Sequence, residues 1–194
     1  MKVKGKIIVI SGPTGSGETT ITKKILELFP DMERIVTTTS RSPRPNEKDR
    51  IDYYFVSPEE FHTLAEKGDF LEYIQVPNRE VYYGTFRKPI EDKLNAGINL
   101  IGNLGYPGHA SFSKAYPGRV LSIFIKPDSL DVIRDRIVRR DPTITKEEVE
   151  KRIDNAKKEM EDAKYYDYVV VNKDGEMEET VVEVRRLTDQ FLSR

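Results

Sequence analysis

The amino-acid sequence predicts an α/β fold: a parallel sheet flanked by helices, with a small strand-rich insert and a helical appendage. Three observations predict it. Near the start, an apolar run over 6–10 enters a glycine-rich turn over 12–17, and an amphipathic pattern over 19–28 then stops before Pro30. Downstream, apolar segments with strand character over 98–101, 120–125 and 168–171 alternate with helical patterns near 86–96, 128–140 and 145–164. Between residues 35 and 85 the texture changes to β-branched and aromatic stretches, "IVTTTS", "IDYYFV", "FLEYIQV" and "VYYGT".

Each element has a local reason. Basic residues precede the apolar run over 7–10 as in a secretion signal, but the run is far too short for one, and it reads as a buried strand. Ser57 and Thr145 each stand three residues before a carboxylate, Glu60 and Glu148, so each predicts a capped helix start. "RDRIVRRDPTITKEEVEKR" carries little apolar content over two helix starts and predicts an exposed helical hairpin, a candidate lid. The expected organisation is one domain, with a core formed by 1–34, 86–126 and 165–194, an insert at 35–85 and a lid at about 127–164.

Composition narrows the function classes. A chain of 194 residues with 37% hydrophobic content buries a full core but is short for two ordinary domains. The 32 Lys+Arg balance 33 Asp+Glu, which gives no electrostatic argument for nucleic-acid or membrane partners. No cysteine is present, so disulfides, thiolate metal sites and cysteine nucleophiles are excluded. No stretch approaches the ~20 apolar residues of a membrane span, and a cytoplasmic location is expected.

The first turn carries the chemistry. "SGPTGSGETT" meets the phosphate-loop pattern G-x-x-x-x-G-Lys-Ser/Thr at Gly12, Gly17 and Thr19, with Gly15 and Thr20 in the same loop. Backbone N–H groups at such a helix start favour an anion without help from any side chain. A Thr19 hydroxyl would bind Mg²⁺ in a standard loop. At the lysine position, however, stands Glu18. One pair of unit charges about 4 Å apart at an effective dielectric near 20 is worth roughly 4 kcal/mol, so exchanging attraction for repulsion penalises a triphosphate heavily. Glu18 either turns to water or places its carboxylate near the phosphate nest, where a lid arginine would be its natural partner.

The stretch "TTTSRSPRPNEKDRIDYYFVSPEEF", followed by "GDFLEY" and "YYGT", resembles guanylate kinase, a P-loop nucleoside monophosphate kinase family that moves a phosphoryl group from ATP to GMP. The likeness spans nearly the whole chain, through the lid to "YYDYVVVN". It implies that Arg41 and Arg44 grip the monophosphate and that Tyr53 and Tyr83 donate phenolic hydrogen bonds to it. Glu72 would accept hydrogen bonds from guanine N1–H and its amino group, with Thr37 and Thr85 completing base recognition. In the lid, Arg136, Arg140 and Arg152 would close over the ATP phosphates and stabilise the transferring group. Mg²⁺ would accompany ATP.

The donor side departs from the family. An ungapped comparison anchored on Gly97 and Gly108 puts Asn103 and Gly105 where two aspartates are usual. Together with Glu18 these departures predict phosphoryl transfer that is impaired or altered, on a chain whose GMP side is complete. The alternative is a non-catalytic guanine-nucleotide-binding or protein-interaction module, so a protein partner stays open beside GMP and ATP. No His/Asp/Glu cluster suggests a metal beyond Mg²⁺.

Overall fold

A computed structural model describes residues 4–45, 47–76 and 80–194. In chain order the elements are β1 (Ile7–Ser11), α1 (Glu18–Leu28), β2 (Met32–Arg34), β3 (Thr37–Thr39), β4 (Tyr53–Phe55), α2 (Pro58–Glu66), β5 (Phe70–Gln75), β6 (Tyr82–Phe86), α3 (Arg87–Ala96), β7 (Asn99–Asn103), α4 (Tyr106–Ala115), β8 (Val120–Pro127), α5 (Leu130–Arg140), α6 (Lys146–Glu161), a 3₁₀ turn (Asp162–Tyr165), β9 (Tyr168–Asn172) and α7 (Met177–Leu192). A five-stranded parallel sheet has the order β2-β7-β1-β8-β9, and a four-stranded sheet the order β4-β3-β6-β5. The mixed α/β fold is the one the sequence predicts.

The chain divides into two compact units, Met1–Ile7 with Asp31–Gly102 and Pro107–Val120, and Ile8–Pro30 with Asn103–Tyr106 and Leu121–Arg194. The first unit contains the four-stranded sheet, and strand periodicity gives this sheet two faces. The registers Thr37↔Tyr53 and Thr39↔Phe55, Thr39↔Tyr83, and Glu72↔Thr85 put Thr37, Thr39, Tyr53, Glu72, Tyr83 and Thr85 on one face. On the other face Phe70, Tyr73 and Tyr82 close around Phe61 of α2, with ring centroids 4.4, 6.1 and 5.3 Å away. Phe61 is fully buried, and Ser57 caps its helix by accepting the Glu60 N–H at 3.1 Å. The aromatic texture of the insert thus splits by parity, with Tyr54 and Tyr82 on the Phe61 side and Tyr53 and Tyr83 on the opposite, polar face, all four half-buried.

In the five-stranded sheet β1 is buried at every position and β8 from Leu121 to Ile125, as expected for strands covered on both sides. β9 is different: Val170 and Asn172 are buried, while Tyr168, Val169 and Val171 are exposed at the sheet edge. The predicted helical hairpin is α5 and α6, and its apolar residues are few but well placed. Ile133, Ile137, Val149, Ile153 and Ala156 form a buried core between the two helices, flanked by Leu130 and Ile144. Ser129 and Thr145 cap the helices through Val132 N–H and Glu148 N–H.

The helices α4 and α7 are elements that the sequence patterns did not mark. Pro107 and Gly108 lie in the first turn of α4, which lowers its local helix preference, and α7 starts without a side-chain cap. No helix among the described residues is long and apolar enough to cross a membrane.

Candidate active site

The polar face of the four-stranded sheet, opposite Phe61, carries two groupings. At one end the Thr85 hydroxyl donates to Glu72 Oε1 at 2.7 Å, because antiparallel pairing sets the two residues opposite each other. Burial raises the Glu72 carboxyl above its ordinary range, and the Thr85 hydroxyl pulls it partway back. Thr37 lies on the same face, one strand further across. At the other end Arg41 donates from Nε to the Tyr83 hydroxyl at 3.1 Å, and its guanidinium lies 5.0 Å from the Tyr53 ring centroid.

Glu47 is the residue that the sequence reading missed. It takes a bidentate pair of bonds from Arg41, at 2.6 and 2.7 Å, and also the Arg44 N–H at 2.8 Å. The Arg41 guanidinium holds the Glu47 carboxyl down to about 2, so the pair stays ionised throughout the neutral range. Arg41 is thereby aimed and locked, while the Arg44 residue is exposed. A glutamate within "SPRPNEKD" has no periodicity that would single it out. Its role appears only once the loop folds back on Arg41.

In the second unit the loop between β1 and α1 is shaped by its glycines. Gly17, the N-cap of α1, has φ +99°, and a Cβ there would lie 2.7 Å from Asn172 Nδ2. Asn172 donates from that nitrogen to Ser16 O at 2.7 Å, which ties the loop to the end of β9. Thr14, Gly15, Gly17, Glu18, Thr19 and Thr20 line a cavity of about 240 Å³ together with Arg136, Ile137 and Arg140. The structure therefore brings Gly15, Gly17, Glu18, Thr19 and Thr20 of the loop and two of the three lid arginines to one cavity, while Gly12 does not line it.

Glu18 is the first residue of α1, where the helix dipole favours an anion. Desolvation outweighs that effect and pushes its carboxyl up to about 8, with the Glu159 charge adding to the rise and a hydrogen bond with Asn103 opposing it. Glu159 is exposed as a residue, yet its carboxylate accepts the Thr14 N–H of the loop. Asn103 Nδ2 also donates to Thr22 Oγ1 at 3.0 Å. What acts on the Glu18 carboxyl is thus the Asn103 amide and the Glu159 carboxyl, with the Tyr166 phenol close by, while Arg136 and Arg140 share its cavity without an ion pair to it among the described residues.

The lid arginines have separate surroundings. Arg136 donates to Gly15 O at 3.0 Å and makes longer contacts with Ser16 O, Asn172 O and Lys173 O, besides an ion pair with Asp174 at 3.5 Å. Arg140 is exposed at the cavity. Arg152 pairs with Glu148 one turn away on its own helix at 3.2 Å. Among the described residues no cluster of three or more His, Cys, Asp or Glu is arranged to hold a metal ion.

A parallel sheet whose first strand passes through a glycine-rich loop into α1 defines the class, the phosphate-loop α/β proteins. Within it the chain belongs to the guanylate kinase family, whose model matches residues 4–190. The guanylate kinase of Helicobacter pylori strain ATCC 700392 / 26695 is 38% identical over 176 residues, which cover 91% of this chain and 84% of that protein. The guanylate kinase of Salinibacter ruber is 38% identical over 190 residues, covering 96% of this chain and 97% of its relative. The crystal structure of guanylate kinase from Anaplasma phagocytophilum superposes with a TM-score of 0.77 at 30% identity, covering 98% of this chain and 87% of the other.

Proposed function

We propose that this chain binds GMP on the polar face of its four-stranded sheet and that phosphoryl transfer from ATP, the reaction of its family, is impaired at the phosphate loop. In this reading Glu72, with Thr85 and Thr37, takes the guanine edge. Adenine presents the opposite hydrogen-bond pattern there and would leave the Glu72 carboxylate with the Thr85 hydroxyl as its donor and none from the base. Arg41, held by Glu47, Tyr83 and Ser42 O, keeps one N–H on Nη2 for the monophosphate, which it meets together with Arg44 and Tyr53.

The observation that carries the impairment is the position of Glu18, which stands where the loop lysine of the family pattern would reach a nucleotide's outer phosphates, with the Glu159 carboxyl as its neighbour. Phosphoryl transfer rests on positioning and on neutralising charge. Even a protonated Glu18 supplies no positive charge to offset the phosphates. The residues present do not fit Mg²⁺ support of the usual kind either. Asn103 turns its amide N–H₂ to Thr22 and Glu18, Gly105 has no side chain, and the threonines at the cavity, Thr14, Thr19 and Thr20, offer hydroxyls but no carboxylate.

A second reading, an active transferase in which a lid arginine supplies the missing charge, draws on the contact between Arg136 and Gly15 O. The two readings separate in an assay of GDP formation from GMP and ATP·Mg²⁺, run for the native chain beside Glu18→Lys. The impaired reading expects the native rate to lie at least about a hundredfold below the roughly 1–100 s⁻¹ of ordinary kinases and to rise in Glu18→Lys. A native rate inside that range supports the second reading, and it should then collapse in Arg136→Ala or Arg140→Ala.

A further inference from the structure

β9 ends on a polar side chain at a position that its strand gives to the core. Val170 and Asn172 share the buried face of β9, and Asn172 is fully buried. An amide buried after three valines needs partners, and it has them on two other elements. Asn172 Nδ2 donates to Ser16 O of the phosphate loop at 2.7 Å. Asn172 Oδ1 lies 3.2 Å from Thr180 Oγ1 of α7, whose one proton is also within reach of Glu176 O at 3.0 Å. A carbonyl only accepts, so the nitrogen end of the Asn172 amide is the end that the loop requires.

We infer that Asn172 is a positioning residue for the phosphate loop, holding the Ser16–Gly17 peptide with its N–H toward the cavity. A trans peptide is planar, and its C=O and N–H point in opposite directions. Ser16 O turned onto Asn172 therefore sends the Gly17 N–H the other way, to the side on which Gly17, and neither Ser16 nor Asn172, lines the cavity of about 240 Å³. Accepting a hydrogen bond at the carbonyl also polarises the peptide and strengthens the donor at its far end.

The peptides on either side have other tasks. Gly15 O accepts from Arg136 at 3.0 Å, while the Ser16 N–H turns back to Pro13 O at 2.9 Å and is spent inside the loop. Beyond Gly17, the N–H groups of Glu18, Thr19 and Thr20 open α1, and no side chain caps them. The Gly17 N–H extends that row of helix donors by one, and Asn172 sets its direction. Holding is needed because Gly17, at φ +99°, is a residue whose backbone has alternatives on both sides of zero. Arg136 reaches Ser16 O only at 3.5 Å, so the short bond to this carbonyl is the one from Asn172.

The role rests on the reading above in one respect, that a phosphate lies at this loop. Glu18→Gln serves as the host for the test because it removes the repelling charge, and inorganic pyrophosphate is the probe, followed by heteronuclear amide spectra and calorimetry at fixed pH and ionic strength. The Gly17 amide is expected to shift as pyrophosphate is added, and the Ser16 amide, committed to Pro13 O, to stay in place. Asn172→Ala in that host should weaken pyrophosphate binding at least about tenfold and leave GMP affinity, a property of the other unit, at the host value. Where Asn172→Ala does not fold, the contrast between the Gly17 and Ser16 amides of the host decides alone. Pyrophosphate that binds without moving the Gly17 amide, or that binds Asn172→Ala as tightly as the host, overturns the role of Asn172 and leaves the loop a phosphate site. A host that binds no pyrophosphate overturns both.

Discussion

At the scale of single residues, Glu18 decides how this member of the family differs from its pattern. Its carboxyl titrates near 8, far above the ordinary value of 4.5 it takes in an unfolded chain. Between those values the folded state holds a proton that the unfolded state has lost, so the Glu18 contribution to stability is complete below about 4.5 and is lost as pH rises through 8. Glu18→Gln mimics the protonated form at every pH. It should match the native chain near pH 5 and exceed it above pH 8 by on the order of 3 kcal/mol, read from urea unfolding at both ends. Equal native and variant stability at high pH would mean that Glu18 reaches water. On the other unit, Glu72→Ala removes the carboxylate proposed to accept from guanine, and GMP affinity measured by calorimetry should fall about 10–100-fold. Glu18 was legible in the sequence because one position in a fixed pattern carries the wrong charge. Glu47 and Glu159 were not, since each acts on a residue brought to it by folding.

At the scale of elements, the hydrophobic periodicities located most strands and helices to within two residues, and the capping hydroxyls of Ser57 and Thr145 marked the starts of α2 and α6. The sequence left open which tyrosines of the insert face the core. Strand parity answers that only when the register of β3, β4, β5 and β6 is known, because a shift of one residue exchanges the two faces. The lid shows the opposite lesson. Its sequence reads as charged and exposed, yet five buried apolar residues suffice to hold α5 against α6. Ile137→Ala should therefore loosen the hairpin by about 2–5 kcal/mol. Amide hydrogen exchange across Leu130–Glu161 should quicken while the insert around Glu72 keeps its protection; unchanged exchange in the hairpin would show that its core is not what holds it.

At the scale of the whole molecule, the asymmetry between the two units is the central claim. In the first, a bidentate Glu47–Arg41 pair, Tyr83 and the Glu72–Thr85 bond are assembled before any ligand arrives, so the cost of ordering them is met by folding. In the second, the loop keeps its glycines and its tie to Asn172 but faces any phosphate with Glu18 and Glu159. The family and its fold were readable from motif order alone, whereas the surroundings of the departures required the packed structure. The measurement that tests the claim most directly is calorimetric titration of the native chain, at neutral pH and fixed ionic strength, with GMP and separately with ATP·Mg²⁺. The account predicts GMP binding with ATP at least about a hundredfold weaker, because the lost charge pair, worth roughly 4 kcal/mol, falls on the ATP side alone. ATP·Mg²⁺ binding as tight as that of GMP would contradict it.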